Sequence, residues 1–221
     1  MKYLNTYETN TKDNRFFQKI SGDNNKIHYD KHFCSETHFK SPLVYGQSIV
    51  IYVLIQLKKK KIIENLGFIE KIYCKFDKPI FLDEKIEIYF NIYKKDSIVI
   101  KIFNKLELKS IIKITTKKVE LKKLKEKNLK YFSTKCKIDN EEHNLIKFLA
   151  LLSNKAGNYK DKINLTSHFE VFLEKKSTKI EKYHEIKNEL KLVLQPVHLV
   201  KLEKGYRKHF ARVYFFRWLI K

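Results

Sequence analysis

Glycine and proline are almost missing from this chain, with 5 Gly and 3 Pro in 221 residues. That scarcity excludes collagen-like and glycine-rich low-complexity chains. The cysteines are Cys34, Cys74 and Cys136, an odd number with no C-x-x-C spacing. Neither a disulfide framework nor a zinc ribbon fits them. Arginine occurs only as Arg15, Arg207, Arg212 and Arg217, so the basic excess is almost all lysine. Long apolar runs are also lacking. The longest uncharged, mainly apolar stretch is Ser41 to Leu57, which contains Ser, Gly, Gln and Pro. It falls short of the roughly 20 residues of a membrane span. The start, Met1-Lys2-Tyr3-Leu4-Asn5-Thr6, has no apolar run, so no signal peptide is expected and the reading is a soluble cytoplasmic protein.

Hydrophobic residues make up 43% of the chain and aromatics 14%, enough for a real core, while 33% are charged. Disorder is therefore excluded, and the length suits one large domain or two small ones. The formal net charge is +22. Such a charge suits anionic partners. It is spread along the chain, however, and no nucleic-acid-binding motif accompanies it, so no nucleic-acid partner is expected. Abundant Lys, Ile, Asn, Tyr and Phe beside scarce Gly, Pro, Ala and Arg fit an A+T-rich coding sequence.

The pattern along the chain predicts an α+β protein. Thr11 is a candidate N-cap for a short helix over 12–20, with Phe16, Phe17 and Ile20 on one face. The polar stretch from Ser21 to Asp30 reads as a loop. Ser41-Pro42 could open a helix over 43–60 that is apolar on every face, as a helix wrapped by other structure would be. The run Lys58 to Lys61 suits its C-terminal end. Four strand-like runs follow, at Phe68–Phe76, Lys85–Lys94, Ser97–Asn104 and Leu106–Glu120. Residues 121–140 are lysine-rich and read as a linker between a unit at 1–120 and another at 141–221. In the latter a helix over Glu141 to Ser153, ending near Gly157, precedes strand-like runs at Asn164–Glu174, His184–Leu194 and Val197–Leu202 and a final one at Phe210–Ile220. Helix followed by strands echoes the first half.

Asp23, Asn25, His28 and Asp30 form the informative cluster. An Asp and a His five residues apart in one loop can address a common substrate. Histidine titrates near neutrality, and a carboxylate beside it can hold a water or take its proton. Gly46 lies near the expected start of the apolar helix. Helix-start N–H groups are unpaired and sit at the positive dipole end, and glycine lets a carbonyl oxygen approach them. Those are the components of an oxyanion hole. A metal site is not expected: His28, His32 and His38 lie in loop-like sequence with no H-E-x-x-H pattern.

The run Ser21-Gly22-Asp23-x-Asn25-x-Ile27-His28-x-Asp30, preceded by Phe17 and followed by Phe39-x-x-Pro42-Leu43-Val44-x-Gly46, resembles the hydratase motif of the MaoC-like (R)-specific enoyl-CoA hydratases. The resemblance covers about residues 11–118. It implies a hotdog fold, a curved antiparallel sheet around a long central helix. It also implies reversible addition of water to a trans-2-enoyl thioester, giving an (R)-3-hydroxyacyl thioester. Asp23 and His28 would be the catalytic pair and the Gly46 N–H the oxyanion hole. Asn25 and Asp30 would orient the loop, and Tyr45 would contact substrate. No metal or redox cofactor is implied, because CoA or the phosphopantetheine of an acyl carrier protein arrives as a portion of the substrate. Either a homodimer or an internal pseudo-dimer is implied as well, the second half serving as a degenerate partner unit that would make the chain a double hotdog.

Two positions depart from the family pattern. Lys26 stands where the family usually has Pro, which changes loop stiffness more than chemistry. Tyr45 stands where it usually has His. The second half contains no Gly-Asp-x-Asn-x-x-His run. A hotdog that only binds acyl thioesters, or hydrolyses them, is the alternative these departures leave open.

Overall fold

The computed structural model describes residues 1–64, 69–93, 96–116, 130–135, 146, 149–150, 153–154, 164–177, 189–201 and 207–219. The first half contains β1 (Lys2–Glu8), α1 (Thr11–Ser21), α2 (Lys31–Ser35), α3 (Gly46–Lys59), β2 (Lys71–Phe76), β3 (Lys85–Tyr93), β4 (Ser97–Asn104) and β5 (Glu107–Thr115). Beyond it come β6 (Lys130–Lys135), β7 (Asn164–Ser177), β8 (Glu189–Lys201) and β9 (Arg207–Leu219). Between β6 and β7, Ile146, Leu149, Ala150, Ser153 and Asn154 are helical.

Alternation of isoleucines with polar residues gives the strands of the first half a single buried face. Ile86, Ile88 and Phe90 on β3, Ile98, Ile100 and Ile102 on β4, and Ile112 and Ile114 on β5 are all buried. A strand turns successive side chains to opposite faces, so each set lines one side. That side packs on α3, whose Ile49, Val50, Val53, Leu54 and Leu57 belong to the same core cluster. A helix apolar all round is stable only when surrounded. Each such side chain taken out of water contributes about 1.5–3 kcal/mol before entropy is counted. Within the sheet the order of this half is β1-β3-β4-β5-β2, and every pairing in it is antiparallel. This is the hotdog arrangement. No helix among the described residues is long and apolar enough to cross a membrane.

The sheet continues past β2 as β7-β9-β8-β6. β2 and β7 pair antiparallel, with Tyr73 opposite Glu170 at the centre of the register. β8 is antiparallel to both β9 and β6, whereas β7 and β9 run parallel. The strand order explains that parallel pair. In the first half β5 lies between β4 and β2 and is antiparallel to both, so β4 and β2 point the same way. Read from its outer edge, the later run is β6-β8-β9-β7, which is the first run without a counterpart of β5 among the described residues. Among the described residues β9 and β7, which correspond to β4 and β2, lie side by side and so run parallel.

Several elements depart from the sequence reading. β1 was not anticipated, because only Leu4 of its residues is fully buried and the rest of this edge strand is polar or aromatic. It is anchored through α3 instead: Asn5 Nδ2 donates to the Tyr52 hydroxyl at 2.8 Å, Tyr7 stacks on Tyr52, and the Lys60 amine donates to the Leu4 carbonyl. α1 is capped by Asn10, whose side chain accepts from the Asp13 N–H, and not by Thr11. α3 begins at Gly46 and not at 43, because Leu43 bridges to Phe81 and the Val44 N–H goes to the Ile80 carbonyl. A portion of the expected linker, Lys130–Lys135, is β6, in which Tyr131, Phe132 and Thr134 favour a strand. A single strand, β8, runs through Pro196 where two were expected. The proline lacks an N–H, and the register against β9 shifts between Pro196 and His198. The expected helix end near Gly157 lies outside the described residues, as does Lys94, the expected last residue of the second strand-like run.

Candidate active site

The loop carrying the cluster leaves α1 through Gly22, which is left-handed at φ 67. Glycine suits that conformation, and a Cβ there would also stand 3.0 Å from Asn154 Nδ2. After it, Asn25 caps a single 3-10 turn, Lys26–His28, its side-chain oxygen accepting from the Ile27 N–H at 3.3 Å. Asp30 caps α2 by accepting from the Phe33 N–H at 2.9 Å. A small core of Ile27, Cys34 and Leu43 fastens the loop from below, and the Cys34 thiol donates to the Ile27 carbonyl. The two loop-orienting candidates, Asn25 and Asp30, thus stand at helix starts and fix where their neighbours lie.

Asp23 is only 1% exposed, yet both carboxylate oxygens have a donor. Oδ1 accepts from the Asn25 N–H at 3.0 Å and Oδ2 from the Ser153 hydroxyl at 2.7 Å. His28 is buried and places Nδ1 3.0 Å from the Leu43 carbonyl oxygen. A carbonyl can only accept, so Nδ1 carries the hydrogen and Nε2 keeps a lone pair. Burial pushes the imidazole below its ordinary range, and the Asp23 charge and the Leu43 carbonyl oppose that shift without cancelling it. His28 is consequently neutral at neutral pH.

Tyr45 connects the pair. Its ring stacks on His28 with centroids 3.9 Å apart and touches Phe17 at 4.9 Å. Its hydroxyl donates to the Asp23 backbone carbonyl at 2.8 Å. Burial and the Asp23 charge push the phenol far above its usual range, so it remains a donor. Expected as a substrate contact, Tyr45 stands between Asp23 and His28 and is itself almost wholly buried.

Gly46 begins α3 directly after Tyr45. Its N–H is the first of the helix, before any carbonyl of α3 that could accept it, whereas the Ser48 N–H already goes to the Tyr45 carbonyl at 3.0 Å. A Cβ on Gly46 would come within 2.4 Å of Phe76 Cζ, so β2 closes on the helix start through that ring.

Three residues that sequence reasoning missed hold these groups together. Asn14 is buried on α1 and donates from Nδ2 to the carbonyls of His28, at 2.9 Å, and Leu43, at 3.0 Å, while its Oδ1 accepts from the Tyr45 N–H. The signal was present: Asn14, Phe17 and Ser21 share one buried helical face, and a polar residue there needs partners. Ser153 and Asn154 come from the later helical residues. Asn154 Nδ2 donates to the carbonyls of Ser21 and Gly22 at 3.2 and 2.6 Å. Nothing in their local sequence marks them. Among the described residues no group of three or more His, Cys, Asp or Glu side chains is placed to hold a metal ion.

Gly46→Ala should destabilise the protein by about 1–3 kcal/mol through overpacking against Phe76, outweighing alanine's usual helical advantage of about 1 kcal/mol. Urea denaturation measures this, and Phe76→Leu in the same chain should recover some of the loss. A neutral Gly46→Ala would contradict the close approach. The lowered pKa of His28 has a consequence of definite sign. The unfolded imidazole takes up its proton near pH 6.5, before the folded one does. Stability is therefore complete above about pH 6.5 and declines as pH falls toward the lower folded value. Between pH 7.5 and pH 5 the wild type should lose more stability than His28→Gln; equal losses would contradict the buried neutral histidine.

Among curated proteins none matches the chain. Solved structures that overlay on it include an (R)-hydratase from A. caviae involved in PHA biosynthesis, at 18% identity and TM-score 0.39, covering 50% of this chain and 88% of that one. An unliganded R-hydratase from Pseudomonas aeruginosa overlays at 22% identity and TM-score 0.37, covering 54% and 84%. A (3R)-hydroxyacyl-ACP dehydratase complex from Mycobacterium tuberculosis overlays at 13% identity and TM-score 0.43, covering 51% and 90%. The sequence itself matches the family described as MaoC like domain over residues 1–115, slightly more than half its length and the whole segment that carries the loop, α3 and β1 to β5. On that match the chain belongs to the MaoC-like dehydratase family.

Proposed function

We propose that this protein adds water reversibly to a trans-2-enoyl thioester to give an (R)-3-hydroxyacyl thioester, with residues 1–120 carrying the chemistry. The observation that carries the reading is the buried Asp23–His28 pair, tied through Tyr45 to the first turn of α3. Asp23, anchored at both oxygens, and His28 Nε2 are the water-holding groups. As the water oxygen bonds to the β-carbon, the pair removes one of its protons. A proton from the pair reaches the α-carbon, so one water is consumed and the enzyme returns to its starting state. Negative charge that develops on the thioester oxygen is met by the Gly46 N–H, at the positive end of the α3 dipole. A neutral histidine suits this task, since an imidazolium could not accept the water proton. The thioester carrier, CoA or the phosphopantetheine of an acyl carrier protein, belongs to the substrate. The chain's net charge of +22 complements phosphate on either.

Residues 141–221, together with β6 before them, act in this proposal as a degenerate partner unit, so that the chain forms a pseudo-dimer by itself. Supporting it are the β2·β7 pairing, the repeated strand order, and Leu149 and Ala150, which join the core of the first half.

The test is loss of enoyl absorbance with crotonyl-CoA and a longer trans-2-enoyl-CoA. Asp23→Asn and His28→Ala should each lower kcat by about 10²–10⁴-fold while circular dichroism stays unchanged. Unaltered rates in both variants would place the chemistry elsewhere. Release of free CoA, with no hydration, would replace the reading with thioester hydrolysis.

A further inference from the structure

We infer that the second half of the chain contributes to the site itself, with Ser153 as a positioning residue for Asp23. The catalytic consequence rests on the hydratase reading; the positioning does not.

The contact spans 130 positions of sequence and joins two buried side chains, Asp23 at 1% and Ser153 at 3% exposure. Without Ser153, the remaining donor described for the carboxylate is the Asn25 N–H on Oδ1, two residues away in the same loop. One bond from its own loop lets a carboxyl group swing about its axis; a second, on Oδ2 from another element, stops it. A hydroxyl on a helix can instead turn back to a carbonyl in its preceding turn. Ser153 reaches across to Asp23. A charge-assisted O–H···O⁻ bond of this length is at the strong end for a side-chain pair. Asn154 acts beside it on the loop backbone, holding the Ser21 and Gly22 carbonyls where the chain turns into Asp23. Leu149 and Ala150, helical residues a few positions earlier, lie in the core of the first half. The second half is thus a brace for the catalytic carboxylate, although it has no Gly-Asp-x-Asn-x-x-His run of its own.

The test is a double-mutant cycle on the full chain with two readouts. Urea midpoints are measured for wild type, Ser153→Ala, Asp23→Ala and the double variant. Ser153→Ala should lower the midpoint when Asp23 is present and leave it nearly unchanged in Asp23→Ala, because a hydroxyl that serves only Asp23 loses its acceptor with it. Equal shifts in both backgrounds would overturn the proposal, whether or not the protein hydrates any substrate. In the hydration assay Ser153→Ala should lower kcat about tenfold, the equivalent of one charged hydrogen bond, with KM unchanged. Ser153→Thr, which keeps the hydroxyl, should recover more of kcat than Ser153→Cys. A coupled midpoint with no change in kcat would reduce Ser153 to a structural contact. A coupled midpoint in a wild type inactive on every enoyl thioester would overturn the hydratase reading and leave the positioning intact.

Discussion

The arrangement depends on the amide of Asn14. One buried side chain uses its two N–H groups and its oxygen to tie three backbone points: the carbonyl of His28, the carbonyl of Leu43 and the N–H of Tyr45. Those points belong to the histidine loop, the segment before α3, and the N-cap of α3. The Leu43 carbonyl also accepts from His28 Nδ1, so the group that fixes the imidazole's tautomer is itself held by Asn14. A buried polar group left without a partner costs about 1–3 kcal/mol, and Asn14 satisfies several at once. Loop, helix start and the His28 imidazole are therefore one hydrogen-bonded unit.

Around that unit the hotdog core supplies rigidity. α3 is wrapped by isoleucines from β2 to β5, and Phe76 of β2 closes on its first residue, Gly46. Burial has a second effect, electrostatic in kind. It lowers the pKa of His28, keeps Tyr45 protonated and makes each donor on Asp23 count for more than it would in water. The second half of the chain adds its own contribution through Ser153 and Asn154, which reach back to Asp23 and to the turn before it.

Much of this was legible in the sequence. Apolar alternation at Lys85–Lys94 and Ser97–Asn104 set two strands to within a residue of β3 and β4. The fully apolar stretch after Ser41-Pro42 pointed to the central helix, and the loop motif to the family. What escaped reading depended on tertiary partners. β1 is an edge strand whose polar residues carry no alternation, and its attachment to Tyr52 and Lys60 is invisible locally. The start of α3 was displaced because Leu43 and Val44 are drawn into contacts with Phe81 and Ile80, which overrides the helix-opening preference of Pro42. Ser153 reaches Asp23 from 130 positions away, and nothing in its own neighbourhood marks it. Asn14 was the avoidable omission, being a polar residue on the buried face of an amphipathic helix.

The central claim is that His28 sits neutral, with its hydrogen on Nδ1 and its lone pair on Nε2. Nitrogen-15 NMR of the imidazole, followed from pH 8 to pH 5, reads both properties at once. The account predicts a protonated Nδ1 with an unprotonated Nε2, persisting below pH 6.5 where an ordinary histidine is half charged. A signal from the opposite tautomer, or titration at or above pH 6.5, would contradict it.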